Sequence, residues 1–467
     1  MENLKRLHRD ILRELPDMLI FDIFWRLPMT DVVRTSLLSK GWRNFWTTSP
    51  FLNFDNRAML FGDDSKLQNF VNRALSCWNG NRVLKFRFHS RHKLASSMFS
   101  DVDLWVNFAV RNGVEEFHLH VWCNSVTGWR GFDGKEVYRV PLCLYSCSSL
   151  KELSLQSCNL EIDGNVQWNK LESLTIKAFR VTANLINQIL SATPHLKVFD
   201  LTYVDKGGNL SIQSTSLKEL SIFKYFLAAA DLFVVSELRI CTPNLETLEI
   251  SGFPYKKYLL MDVSSLTRAF LDSVPSDHFF QFGLSNALSQ ILPSIQHVEY
   301  VALSDCCTKE IGAMKTKCAH SAFLNVKSLK LRCCLYDYKQ VIGALEMFPQ
   351  LNRLVIEDEK GNSHQDDTES LKFEANLPES FLLRLRTVEV TWSEGYGVFP
   401  LIEILLKYAS KLEKIVFQLN EIKSPATSDS LFYVSEKLLR MRRSSSSNCK
   451  IVLTKLRPSS HWNNSGN

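Results

Sequence analysis

Leu150-Lys151-Glu152-Leu153-Ser154-Leu155-Gln156-Ser157-Cys158-Asn159-Leu160 sets an apolar residue, two variable ones, an apolar residue, one variable and a third apolar residue, then continues to a cysteine and a leucine. Leu153 and Leu155 alternate with Glu152, Ser154 and Gln156, the period of a strand with one face buried. The pattern recurs at Val83/Phe86/Phe88, Val114/Phe117/Leu119, Leu171/Leu174/Ile176, Leu196/Phe199/Leu201, Leu217/Leu220/Ile222 and Leu245/Leu248/Ile250. It continues at Leu266/Ala269/Leu271, Ile295/Val298/Tyr300, Val326/Leu329/Leu331, Leu351/Leu354/Ile356, Leu385/Val388/Val390 and Leu412/Ile415/Phe417. From Val83 to Leu412 the intervals average about 27 residues, a period that belongs to stacked repeats.

The spacing is that of leucine-rich repeats, and two copies extend to a cysteine, Cys158 and Cys334, which reads as core. Several intervals add an apolar helical stretch: Leu185-Ile186-Ile189-Leu190, Val341-Ile342-Leu345-Met347 and Ile402-Leu405-Leu406. The implied unit is a strand inside and a helix outside. The expected fold class is therefore α/β, a curved solenoid over residues 80–376 with parallel strands on its concave face.

Composition agrees with a folded chain: of 467 residues, 45% are hydrophobic and 22% charged. The net charge of +6 is too small for nucleic acid to be expected as the main partner. Met1 to Asp17 carry charges every few residues with no apolar h-region, and the uncharged window Phe279 to Val298 is too polar for a bilayer, so neither a secretory signal nor a membrane partner is expected. The twelve cysteines are scattered without a framework, which fits reduced thiols and an intracellular location, nucleus and/or cytoplasm.

Ahead of the repeats, Pro16-Asp17 opens a helix that carries Leu19, Ile20, Ile23, Phe24 and Leu27, and Leu27-Pro28 stops it. Thr30 is expected to cap a second helix with Val32, Val33, Leu37 and Leu38, and Ser39 a third with Trp42, Phe45 and Trp46. So short a unit cannot bury enough surface to be stable alone. Leu15-Pro16-Asp17, Ile23, Leu27-Pro28, Thr30-Asp31-Val32-Val33, Ser36 to Lys40 and Trp42-Arg43 resemble an F-box, here residues 8–56, in its plant form. Gly41 and the bulky Phe24-Trp25 depart from the usual pattern. The resemblance implies a helical module that docks the Skp-type adaptor of a cullin-RING ubiquitin ligase through Leu15, Pro16, Leu19, Ile23, Leu27, Pro28, Leu37 and Trp42. The plainer reading is a helical cap over the first repeat.

Leu377-Pro378, Phe381-Leu382, Leu385 to Val390, Leu405 to Tyr408, Leu438 to Met441 and Cys449 to Val452 resemble the FBD domain that follows F-box and leucine-rich repeats in a large plant family. That places an FBD region at residues 377–456, with Lys450 to Leu453 expected as a closing strand and a disordered tail at 457–467.

The variable strand positions should line the concave face. Among them Lys85, Arg87, His89, His118, His120, Glu152, Gln156, Lys177, Asp200, Phe223, Glu249, Phe270, Lys330, Arg332 and Arg353 are candidates for binding a target. Arg82, Lys85, Arg87, Arg91 and Lys93 form a basic cluster that could hold an anion such as the inositol polyphosphate of related hormone receptors, or merely face water. His118 and His120 share a strand face with Cys123 nearby, and Cys318-x-His320 is a second pair, but zinc needs three or four converging ligands, so no metal is expected. Gly128, Gly131 and Gly134 lack the lysine of a phosphate loop, and no Gly-x-Ser-x-Gly elbow occurs. Neither a cofactor nor an active site is expected.

The function that follows is the substrate-recognition subunit of a Skp-cullin-F-box ligase, bound through the adaptor to cullin and RING subunits and to an unknown target protein. A receptor for a small ligand or polyphosphate, or a protein-binding module outside a ligase, is the alternative.

Overall fold

The computed structural model describes residues 15–55, 64–90, 94–121, 137–162, 164–178, 181–204, 208–225, 236–253, 255–273, 281–314, 323–333, 338–358, 381–392, 398–419, 435–438, 440–441 and 449–455. The chain divides into two compact units, Met1–Leu217 with Tyr225–Val234, and Lys218–Lys224 with Val235–Asn467.

The first unit opens with helices α1 (Asp17–Arg26) and α2 (Met29–Arg34) and a 3-10 turn, Thr35–Leu37. Pro28, in extended conformation, precedes α2, so Thr30 lies in its first turn and not at its cap as the sequence suggests. The expected third α-helix is a run of tight turns ending in the 3-10 helix Phe45–Thr48, with Trp42 N donating to Ser39 O and Phe45 N to Trp42 O. Gly41 disfavours an α-helix here, and an i, i+3 spacing of Trp42 and Phe45 serves a 3-10 path equally well.

Six parallel strands follow: β1 (Phe51–Asp55), β2 (Lys85–His89), β3 (Glu116–His120), β4 (Glu152–Gln156), β5 (Ser173–Ala178) and β6 (Val198–Val204). The register puts Phe86, Phe117, Leu153, Leu174 and Phe199 in one row and Phe88, Leu119, Leu155, Ile176 and Leu201 in the next, all fully buried. Each such side chain contributes about 1.5–3 kcal/mol. Phe86 and Phe117 stack with centroids 5.5 Å apart. Cys158 is buried as expected; Cys334 lies outside the described residues.

Helices α3 (Asp64–Cys77), α4 (Phe99–Arg111), α5 (Leu142–Tyr145) and α6 (Ala183–Ala192) occur between these strands. Asn72 joins α3 to α4: its amide donates to Asp101 at 3.0 Å and its carbonyl oxygen accepts from Trp105 Nε1 at 2.7 Å. Thr182 caps α6 by accepting from Leu185 N. Outside the ladder lies one more strand, β7 (Leu210–Gln213).

The second unit repeats the scheme with nine parallel strands: β8 (Glu219–Tyr225), β10 (Thr247–Ser251), β12 (Arg268–Asp272), β13 (Tyr300–Leu303), β14 (Ser328–Cys333), β15 (Arg353–Asp358), β16 (Thr387–Trp392), β17 (Lys414–Leu419) and β18 (Lys450–Lys455). β18 pairs with β17 in register, Lys414 opposite Lys450, so the expected closing strand forms. Two further strands, β9 (Glu237–Cys241) and β11 (Lys257–Met261), pair with each other off the ladder. The implied unit of inner strand and outer helix has no place for these two strands, whose period shows in Leu238 and Ile240 alternating with Glu237, Arg239 and Cys241. Helices α7 (Gln281–Ile291), α8 (Asp305–Met314), α9 (Tyr338–Leu345) and α10 (Val398–Tyr408) complete the unit, all four carrying buried apolar faces.

One repeat register differs from the spacing. Val301 and Leu303, not Val298 and Tyr300, stand beside Ala269 and Leu271, a shift of three residues. Val298 N instead closes a turn onto Ile295 O, after the 3-10 helix Leu292–Ile295. No helix among the described residues is long and apolar enough to cross a membrane.

Candidate functional site: an exposed helical face and the lining of the strands

Helix α1 is apolar on two sides. Ile20, Phe21 and Phe24 point inward, where Phe21 stacks on Phe45 at 4.9 Å and Phe24 and Phe45 pack around Trp42 at 6.0 and 5.8 Å. Leu19 and Ile23, one turn apart on the other side, are 54% and 44% exposed, and Met18 is exposed beside them. Leu37 and Leu38, at the end of the second helical segment, are 86% and 62% exposed. Aliphatic side chains so far out of a small module are an unusual concentration, and such surfaces mark interaction sites. Of the expected adaptor-contacting residues, Pro16, Leu19, Ile23 and Leu37 are exposed, while Leu15, Leu27 and Pro28 are half-buried. Trp42 is only 4% exposed and packs the module's interior, a role its i+3 partner Phe45 makes clear. Met18 and Leu38 join the exposed set.

The same module is fixed to the repeats through its less obvious residues. Asn53 on β1 donates to Trp25 O at 2.9 Å and Leu27 O at 3.3 Å, the last turn of α1 and the residue after it. The Trp25 ring lies 4.3 Å from the Arg87 guanidinium and 6.4 Å from the His118 ring. Trp25, which departs from the usual F-box pattern, thus covers the lining of β2 and β3.

That lining is more self-neutralised than the sequence implies. Lys85 reaches Glu116 at 2.8 Å and Arg82 reaches Glu115 at 2.9 Å, so acids on the next repeat answer the basic cluster. Arg91 and Lys93 lie outside the described residues, as do Cys123, Cys318, His320 and the three loop glycines. His89 and His120 face each other with Nδ1 atoms 3.0 Å apart. His118 is pushed down to about 4, first by burial and then by Arg87 and Lys85, so its ring is neutral at physiological pH. Its 3.5 Å approach to Glu152 is therefore no ion pair there. Glu152 is held above the usual carboxylate range by burial and then by Glu116, and burial likewise raises Asp200. Gln156 and Lys177 are half-buried neighbours in one row of this lining, paired in register.

In the second unit Phe223, Glu249 and Phe270 are half-buried, with Glu249 directly opposite Phe270. Lys330 is buried against Glu357 at 2.7 Å, Arg332 pairs with Asp272 at 2.6 Å, and Arg353 grips Glu389 with two bonds of 3.0 Å. The shifted register removes His297, Glu299 and Val301 from the expected lining and puts Tyr300 and Ala302 there. Tyr300 packs on Phe270 at 5.4 Å, and His297 instead meets Val263 O at 2.9 Å. Among the described residues, this unit's face is thus a mosaic of cross-strand ion pairs with an aromatic patch at Phe270 and Tyr300.

Comparison with known proteins adds two domains. The family described as At1g61320/AtMIF1, LRR domain matches residues 76–453, and the F-box domain matches residues 12–54. Similar Arabidopsis thaliana proteins include F-box/FBD/LRR-repeat protein At1g13570, 25% identical over 83% of this chain and 85% of the relative. F-box/FBD/LRR-repeat protein At1g13780 is 27% identical over 87% and 90%. F-box/LRR-repeat protein 13 is 26% identical over 95% and 96%.

Proposed function

Since the chain belongs to the leucine-rich-repeat family described by the At1g61320/AtMIF1 domain and carries an F-box ahead of its repeats, we propose that it is the substrate-recognition subunit of a Skp-cullin-F-box ubiquitin ligase. The F-box docks a Skp-type adaptor, and through it cullin and RING subunits, while the strand lining receives the target protein. The observation that carries the reading is the exposure of Leu19, Ile23, Leu37 and Leu38, apolar residues that the module's own core leaves outside. Leu15, Pro16, Leu27 and Pro28 flank that face. Chemistry resides in the other subunits. This chain contributes proximity, which makes ubiquitin transfer to a held lysine effectively intramolecular.

Each exposed leucine that an adaptor covers is worth about 1.5–3 kcal/mol. Leu19→Ala combined with Leu37→Ala should therefore lower adaptor affinity by roughly a hundredfold or more, without lowering Tm, because neither side chain packs inside. Co-purification of the full chain with a Skp-type adaptor and cullin, wild type beside the double variant, checks it. Undiminished recovery with the variant would reject this docking face.

A further inference from the structure

Three side chains of the first unit's lining converge for a reason written in the strand register. Glu116 and His118 are two apart on β3 and share a face, and Glu152 on β4 stands directly opposite Glu116. One donor atom from each lies within 4.8 Å of the other two, and all three residues are half-buried. His118 Nε2 and Glu152 Oε1 are 3.5 Å apart. Two ligands of one tetrahedral zinc ion, at bonds of about 2.0–2.1 Å, stand about 3.3 Å apart, so this separation is near that of a shared metal.

Two carboxylates opposite each other on neighbouring strands repel unless a cation lies between them. Lys85 supplies one positive charge at Glu116. Glu152, opposite Glu116 in the register, reaches the His118 ring instead. The His118 ring offers Nε2, the nitrogen that already faces Glu152. Two carboxylates and a neutral imidazole match a dication in charge, and the nitrogen favours zinc, cobalt, nickel or copper over magnesium or calcium.

We propose that Glu116, His118 and Glu152 bind a divalent transition-metal ion, zinc first among them, each giving one ligand and leaving at least one coordination position open. Lys85 is the cation that competes for Glu116 and gives it up when the metal enters, while Arg87, beside His118 in the register, is a second positive charge the metal must face. The site was invisible in the spacing of His118 and His120 because its third ligand comes from the adjacent repeat, while His120 is engaged with His89. The inference goes beyond the ligase reading and does not depend on it.

The test uses the full chain, stripped with a chelator and titrated with Zn2+ by calorimetry, and with Co2+ followed by visible absorption. The wild type should take up one equivalent and give Co2+ the strong bands of low-symmetry coordination. Glu152→Gln and His118→Gln should each weaken binding by tenfold or more, and Lys85→Met should tighten it by removing the rival charge. Glu152→Gln is isosteric and removes a like charge opposite Glu116, so its thermal transition should be unimpaired and loss of metal cannot be laid to unfolding. No uptake by the wild type, or uptake unchanged in both ligand variants, would overturn the proposal. Adaptor binding is not read in this experiment, so its failure leaves the ligase reading untouched.

Discussion

Asp200 shows how a single side chain on the lining sets a pH dependence. It sits on β6 opposite Thr175, and burial raises its carboxyl above the ordinary value. A carboxyl whose folded-state value is raised contributes stability below the unfolded value and loses it as pH rises through the folded value. At neutral pH the fold therefore holds a carboxylate it disfavours. Asp200→Asn should raise Tm at pH 7, and the gain should shrink as pH falls toward the ordinary aspartate range of about 4. Thermal melts of both proteins between pH 4 and 7.5 read the difference directly; a gap that does not change with pH would refute the assignment to Asp200. The identity of Asp200 as a lining residue was legible, because strand alternation fixes which side chains face out. Its burial was not, since that depends on the rows beside it.

At the scale of elements, what spacing reveals and what it hides are set by different physics. The leucine positions of twelve strands could be read because parallel in-register stacking demands the same apolar offset in every copy. The thirteenth, β13, was misplaced by three residues, since Ile295, Val298 and Val301 repeat at that interval, Ile295 ending a 3-10 helix and Val298 closing the turn that follows it. β1 escaped notice because all five of its residues are buried, repeat core on one side and F-box on the other, which erases alternation. The close approach of α8 and α9 was equally hidden, although Gly312 and Gly343 mark it. A Cβ on Gly312 would lie 2.4 Å from Gln340 O on the facing helix, a backbone atom that cannot swing aside. Gly312→Ala should cost about 1–3 kcal/mol despite alanine's better helix propensity, so the clash outweighs a gain of about 1 kcal/mol. Chemical denaturation shows which term wins. A stabilised variant would mean the two helices do not meet as described.

At the scale of the whole molecule, the function proposed requires the adaptor-facing helices to be held firmly by the repeats, since a module that swivelled would lose the proximity on which transfer depends. The first unit supplies that hold through buried polar chemistry as well as apolar contact. Asn53 donates to two carbonyls at the end of α1, and Trp25 covers Arg87. Neither was readable as a fastening from the sequence, because Asn53 belongs to an unrecognised strand and Trp25 looked only like an oversized variant of the motif. Asn53→Ala leaves Trp25 O and Leu27 O without this donor, a cost of about 1–3 kcal/mol. That loss falls on the contact between helices and β1, not on the leucine rows of β3 to β6. Hydrogen exchange should therefore quicken across residues 17–48 while β3 to β6 keep their protection. Uniform quickening across the first unit would show that the helices and repeats open as one cooperative block, and unchanged exchange would mean that Trp25 and the apolar contacts hold the F-box without Asn53.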